Sequence, residues 1–281
     1  MADLSLWPIG NCQVSALVDA AGSFVWGCQP RVDGDPLFCS LLEPRAVGGH
    51  PRGVWRVAIE NQVAVEQRYL RNTPILVTRL TDADGAAAEI FDFCPRFERT
   101  GRMYRPVAFA RIVRPVTGAP RLRMILNPAA DWGAREAERT SGTNHIRYLL
   151  KPQPLRLTTD APIGPIAEGR AFRLERPLHF FLGPDEPFVG HVGHSLATML
   201  HQTSDHWREW VRGLAVPLEW QRQVIRAAIT LKLCQHEETG AIVAALTTSI
   251  PEAPGSGRNW DYRYCWIRDA YYTVQALNRL G

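Results

Sequence analysis

The sequence predicts strands first and helices second: an antiparallel β-sandwich followed by a helical segment. Three observations predict it. Short apolar-alternating runs separated by glycine turns fill the chain to about residue 190. Prolines at 115, 120, 128, 152, 154, 162 and 165 exclude a long helix there and suit strand ends and loops. Near residue 193 the apolar spacing changes from every second residue to helical spacing. Strands gathered before helices indicate two units rather than one alternating α/β unit.

The strands are justified hairpin by hairpin. "SALVDAAGSFVW" (15–26) and "LVTRLTDADGAAAEIFDF" (76–93) each place a tight glycine turn between two alternating runs. "VAFARIVRPVTGAPRLRMIL" (107–126) repeats the pattern, with Arg121 and Arg123 alternating with Leu122, Met124 and Leu126, so one face is wet and one buried. Several hairpins at this spacing predict a sandwich. "HSLATMLHQTSDHWREWVRGL" (194–214) then carries Leu196, Met199, Leu200, Trp207, Trp210 and Val211 at helical spacing. "EWQRQVIRAAITLKLCQHEETG" (219–240) does the same with Trp220, Val224, Ile225, Ala228, Leu231 and Leu233, and Gly240 is the expected helix stop. An extended segment broken by glycine and proline follows. "RDAYYTVQALNRLG" (268–281) then begins a third helix, with Asp269 near its N-terminus.

Composition excludes several classes of function. The chain has 281 residues, 46% hydrophobic and 21% charged, which is globular material with room for two domains. No run approaches the roughly 18 apolar residues of a membrane helix, and "MADLSLWPIGNC" lacks the pattern of a signal peptide, so a soluble, cytoplasmic protein is expected. The net charge is +4, but the basic residues, arginines all except Lys151 and Lys232, are scattered rather than gathered in a stripe. Nucleic acid is therefore not an expected partner. The six cysteines form no CxxC pair and are expected to be reduced and mostly buried. No nucleotide-binding glycine motif occurs. His191, His194, His201 and His206 lack a fourth ligand in register, so a wet linker helix face suits them better than zinc. Cys12 has no identifiable activating base.

The most chemically loaded stretch is "RNWDYRYCWIRDA", Arg258 to Ala270. A sugar ring presents hydroxyls at its edge and C–H groups on its faces, so a site for it combines carboxylate or guanidinium groups with Trp or Tyr. Arg258, Trp260, Asp261, Tyr262, Tyr264, Trp266, Arg268 and Asp269 supply that mixture. Core-filling aromatics and a helix-start ion pair account for the same composition, so the residues alone leave both readings open. Beside Arg268 and at a helix start, Asp269 is expected to remain ionised and to accept hydroxyls rather than donate a proton. Asp261 reads as a loop-stabilising acceptor at least as readily as a ligand contact.

"ETGAIVAALTTSIPEAPGSGRNWDYRYCWIRDA" (238–270) resembles the first barrel segment of glycoside hydrolase family 15, which includes glucoamylases and trehalases. "WPIGNCQVSALVDAAGSFVWGCQPRVDGDPLFCSLLEP" (7–44) resembles the opening of that family's trehalase-like N-terminal sandwich, and "TSDHWREW" (203–210) fits its linker. The resemblance implies a multidomain β-then-α fold: a sandwich over 1–190, a helical linker over 191–217, and over 218–281 the first, truncated part of an (α/α)6 barrel. It implies no cofactor and a substrate that is an α-glucoside: trehalose, maltose or a maltooligosaccharide.

The resemblance also implies residue roles. Arg268 and Asp269 map onto the pair that holds glucose hydroxyls at the cleavage subsite, Trp266 lines that subsite, and Tyr262 lies near the developing positive charge of the sugar. The family follows the inverting scheme of an acid and a base. Both are glutamates on later barrel loops, so no catalytic residue is expected before Gly281. Glu237 and Glu238, read as a helix end, match neither. The chain is thus expected to be inactive alone, either the N-terminal part of the enzyme or a non-catalytic carbohydrate-binding or interaction module. Barrel helices without their neighbours are expected to leave an apolar patch, or to pack on the sandwich, a partner or a second copy as a homo-oligomer.

Overall fold

The computed structural model describes residues 4–42, 46–47, 50–250, 253 and 255–281. Glu43 and Pro44 of the first family-like stretch, and Pro251, Glu252 and Pro254 of the second, lie outside the described residues.

Two antiparallel sheets form the N-terminal part. One orders the strands Trp7–Gly10, Ser15–Val18, Phe24–Cys28, Val54–Ile59, Arg121–Asn127 and Phe172–Arg173, with Pro36–Phe38 also paired to Phe24–Cys28. The other runs Glu138–Ser141, His145–Leu149, Leu155–Thr159, Leu178–Pro184, Phe109–Thr117, Ala87–Phe93, Leu76–Asp82 and Gln62–Tyr69. Phe24, Trp55, Val57, Leu122 and Met124 of the first sheet share one buried cluster with Leu76, Leu80, Ile90, Phe109, Phe180 and Leu182 of the second. A common interior built from one face of each sheet is a sandwich. A short helix, α1 (Ile163–Glu168), starts immediately after Pro162.

The expected alternation is present in detail, because Leu122, Met124 and Leu126 are buried while Arg121 and Arg123 are exposed. The expected hairpin is not. Phe109–Thr117 and Arg121–Asn127 lie in different sheets, so the turn at Gly118 carries the chain across the sandwich. Each strand has one buried face whether its neighbour in sequence is beside it or opposite it, so alternation cannot separate the two arrangements. At the 15–26 hairpin, Gly22 adopts a φ of 80°. The Asp19 carboxylate closes that turn by accepting from the Ala21 and Ser23 amides at 2.9 and 2.7 Å.

Among the described residues, one ion pair has both side chains fully buried. Asp92 and Arg111 are register partners on adjacent strands, 2.7 Å apart, with both side chains fully buried. Arg111 also donates to the Trp55 and Gly22 carbonyls at 2.7 and 2.6 Å and lies over the Phe24 ring at 4.4 Å. A guanidinium so enclosed persists because both carboxylate oxygens and two carbonyls accept from it.

Three longer helices follow. Helix α2 (Val192–Arg212) lays Val192, Leu196, Met199 and Leu200 on the outer face of the second sheet, against Ile75, Val77, Phe91, Phe93, Ala110 and Ile112. Its far end meets α3 (Gln221–Leu233), where Trp207, Val211, Ile229 and Leu233 close around Cys12. Helix α4 (Ile267–Asn278) contacts α3 and buries Thr273, leaving Ile267, Tyr271, Tyr272 and Val274 exposed.

Helix α3 stops at Leu233, well before Gly240. Gln235 bridges to Ile242, and the His236 amide donates to Ala241. Gly240, at a φ of 74°, makes that return turn instead of capping the helix. Glu237 and Glu238 therefore lie in a turn rather than a helix end, and their side chains are drawn to the sandwich.

Candidate functional site

The stretch from Arg258 to Ala270 is held by backbone bonds from Ala244 and Ala245, by the Asp261–Arg263 ion pair and by the sandwich. The Ala244 amide donates to the Tyr264 carbonyl at 3.1 Å and the Ala245 amide to the Tyr262 carbonyl at 3.0 Å. This places the stretch alongside the extended segment that leaves the Gly240 turn. Asp261 accepts from the Arg263 amide at 3.0 Å and from its guanidinium at 2.7 and 3.0 Å. The Arg263 hydrogen bond holds the Asp261 carboxyl below the usual carboxylate range, and that bond likewise raises Arg263. Arg263 in turn donates to the Gly34 carbonyl at 2.8 Å and lies over the Trp132 ring at 4.6 Å. Asp261 is thus the loop-stabilising acceptor, and Arg263 is the bolt that fastens the stretch to the sandwich. No role for Arg263 follows from the sequence alone; its position inside the motif was the available signal.

Arg263 is turned inward from a turn that the Asp261 carboxylate closes by accepting from the Arg263 amide. Tyr262 is half-buried and Tyr264 exposed. Trp266 is half-buried, and its indole Nε1 donates to the Asp261 carbonyl at 3.1 Å, which fixes the ring at the mouth of α4. Arg268 and Asp269 occupy the first turn of α4, with Nη2 and Oδ2 3.3 Å apart. The Arg268 side chain is largely exposed, whereas Asp269 Oδ2 is shielded and accepts no hydrogen bond. A planar donor, an acceptor with spare capacity and two aromatic side chains therefore stand on one short loop-to-helix segment. That is chemistry suited to hydroxyls at a ring edge and C–H groups on a ring face.

The turn before this stretch is anchored separately. Arg96 donates to both Glu237 oxygens, at 2.6 and 3.0 Å, and to the Asn11 carbonyl at 3.0 Å. Arg105 and Lys232 lie 3.0 and 3.3 Å from the same carboxylate. Burial pushes the Glu237 carboxyl up, but the Arg96 hydrogen bond and charge, with Lys232, bring it down to about 2. Gln13 donates to Glu238 at 3.2 Å. Neither Asp261 nor Glu237 holds a proton near neutral pH, so neither is a general acid.

The four histidines lie apart in role. His191 caps α2 through the His194 amide at 3.4 Å, and His201 pairs with Asp205 at 2.9 Å. His206 accepts from Arg96 at 2.9 Å, and burial, helped by the Arg96 charge, lowers it to about 4. Among the described residues no group of three metal-ligating side chains occurs. Cys12 is buried and donates to the Lys232 carbonyl at 3.3 Å; burial raises its pKa, which keeps the thiol protonated. Cys265 is the exposed cysteine, and the other five are buried.

Comparison with known proteins matches residues 4–162 to the family described as trehalase-like, N-terminal, and residues 220–281 to glycosyl hydrolases family 15. A trehalase of Mycobacterium tuberculosis (strain ATCC 25618 / H37Rv) is 31% identical over 97% of this chain and 43% of its own length. One of Mycolicibacterium smegmatis (strain ATCC 700084 / mc(2)155) is 31% identical over 97% of this chain and 44% of its own. One of Thermoplasma volcanium (strain ATCC 51530 / DSM 4299 / JCM 9571 / NBRC 15438 / GSS1) is 28% identical over 97% and 44% respectively. The chain spans less than half the length of these relatives.

Proposed function

Because the chain belongs to glycosyl hydrolases family 15, with a trehalase-like N-terminal domain, we propose that it is the sandwich and the first glucose-holding segment of a hydrolase that cleaves an α-glucosidic bond, with trehalose as substrate. In this reading the domains run 1–190, 191–217 and 218–281, and α3 and α4 are the first helices of an (α/α)6 barrel. Tyr262, Trp266, Arg268 and Asp269 hold one glucose unit: Arg268 donates to and Asp269 accepts from its hydroxyls, Trp266 covers a face, and Tyr262 lies beside the anomeric carbon. The observation that carries the reading is the Arg268–Asp269 pair, 3.3 Å apart in the first turn of α4, within the residues matched by the family 15 model.

The acid and base of the inverting scheme correspond to no residue of this chain, so the chain holds glucose without cleaving the bond. Titration of the 281-residue chain with trehalose and with maltose tests both parts. Binding of trehalose that weakens at least tenfold in Asp269→Asn and Arg268→Ala, without release of glucose, is expected. Clear glucose release would falsify the assignment of the catalytic glutamates outside the chain, and unchanged binding in both variants would remove the site.

A further inference from the structure

The sandwich sets one tryptophan against the candidate site in a backbone conformation that tryptophan rarely adopts. Trp132 lies in the turn Asp131–Gly133, where three successive residues take positive φ, at 52°, 57° and 91°. Glycine enters that region freely, but aspartate and a bulky tryptophan do so at a cost. Neighbouring side chains hold the turn there. The Asp35 carboxylate accepts from the Asp131 and Trp132 amides at 2.7 and 2.9 Å. Arg52 donates to the Gly133 and Ala134 carbonyls at 3.3 and 2.9 Å. A strained backbone so closely restrained points to a function for the side chain it presents.

Core packing does not account for that side chain. Trp26, its aromatic neighbour at a centroid distance of 6.2 Å, is buried, whereas Trp132 is 49% exposed. The Arg263 guanidinium covers the Trp132 ring at 4.6 Å, and half of the side chain remains open to solvent. Arg263 is the residue that fastens the candidate site to the sandwich, through the Gly34 carbonyl. Gly34 and Asp35 are adjacent, so one short loop of the sandwich fixes both the anchor of the site and the indole beside it. Trp266 joins the same assembly, because its Nε1 donates to the Asp261 carbonyl while the Asp261 carboxylate pairs with Arg263.

An indole with open surface is a platform for the C–H face of a pyranose ring. Tyr262, Trp266, Arg268 and Asp269 account for one glucose unit, and a disaccharide brings a second ring to which none of them is assigned. We propose that Trp132 is the sandwich's own contribution to substrate binding, a stacking platform for the second sugar ring of the disaccharide. The inference rests on the glucose-holding reading of the stretch from Arg258 to Ala270, and it gives the sandwich a part in choosing the substrate. An indole that only covered Arg263 would act through the order of the whole stretch and so would serve glucose and disaccharide alike. A platform for the second ring serves the disaccharide alone.

The intact chain is titrated calorimetrically with glucose and with trehalose, and amide hydrogen exchange is followed over Tyr262 to Trp266. Trp132→Leu should weaken trehalose binding about fivefold, leave glucose binding within about twofold and leave exchange unchanged. Trp132→Phe, which keeps an aromatic face, should recover most of the trehalose affinity. Unchanged trehalose affinity in Trp132→Leu overturns the proposal, as does the absence of saturable trehalose binding to the unaltered chain. An equal loss for both sugars overturns it as well, and faster exchange then identifies Trp132 as a cover for Arg263. Asp269→Asn tests the glucose reading separately. Glucose affinity undiminished in that variant removes the glucose site, whereas a loss confined to trehalose in Trp132→Leu still places a sugar ring on Trp132.

Discussion

Arg96 of the sandwich and Glu237 of the turn after α3 meet at 2.6 Å, with the Arg96 side chain 5% and the Glu237 side chain 23% exposed. The pair ties the sandwich to the turn that leads into the candidate site, and Arg105 and Lys232 close around the same carboxylate. Replacing Glu237 with Gln retains the shape and leaves three cations without their anion. A loss of about 2–4 kcal/mol in unfolding free energy is expected, since one member of a mostly buried pair is stranded. Urea unfolding checks this, and a change within experimental error would mean that solvent screens the cluster fully.

The same cluster sets a dependence on pH. His206 is held near 4 against an ordinary 6.5, so the unfolded chain binds a proton that the folded chain refuses, and stability falls as pH drops from 6.5 towards 4. Glu237, near 2 against an ordinary 4.5, adds a second loss as pH falls from 4.5 towards 2. The charged groups facing His206 are Arg96, Lys232 and Glu237. Unfolding midpoints measured against pH should show the upper slope flattened in His206→Gln and the lower slope flattened in Glu237→Gln.

Asp92 and Arg111 allow a cleaner separation of charge from packing. Arg111→Leu strands a fully buried carboxylate and the Trp55 and Gly22 carbonyls, with an expected cost of about 3–5 kcal/mol. The double variant Asp92→Leu/Arg111→Leu should recover part of that loss, because no uncompensated charge remains. A double variant no more stable than Arg111→Leu would show that the guanidinium contributes mainly through its stacking on Phe24 and Trp55.

Arg263 is expected to control order in the candidate site. Arg263→Ala removes the bonds to Asp261 and Gly34 and the stack on Trp132, while the sandwich core is untouched. Amide hydrogen exchange should speed up at least tenfold over Tyr262 to Trp266 and stay unchanged in strand Phe109–Thr117. Equal protection in both proteins would leave the Ala244 and Ala245 backbone bonds as the sufficient restraint.

The exposed apolar face of α4 has its own readout. Ile267 is 89% and Tyr272 65% exposed, so Ile267→Lys and Tyr272→Lys should change stability by about 0.5 kcal/mol at most. Both should lower the fluorescence of the apolar dye ANS bound to the chain. An unchanged signal would place the dye on another surface.

Much of the architecture was legible because burial imposes a period. The wet and buried faces of Arg121–Leu126, the helical spacing through Leu196, Trp207 and Val211, and Asp269 in the first turn of α4 all follow from that rule. The end of α3 was not legible. Gly240 carries the mark of a helix stop, but Glu237 is pulled to Arg96 before the helix can reach it. In the motif, the aromatic and Arg-Asp composition was visible, whereas the inward turn of Arg263 depended on a carbonyl at Gly34.

By itself the sequence determined that strands come first and the longer helices after about residue 193, and it placed Tyr262, Trp266, Arg268 and Asp269 within one short stretch. Those properties rest on residues near one another along the chain. Only the tertiary structure decided that Phe109–Thr117 and Arg121–Asn127 belong to opposite sheets, that Arg96 finds Glu237 across 141 positions, and that Arg263 reaches Gly34 across 229. A buried face can be read from local alternation, but the partner of a charge is chosen by which distant groups the closed sandwich brings within hydrogen-bonding distance.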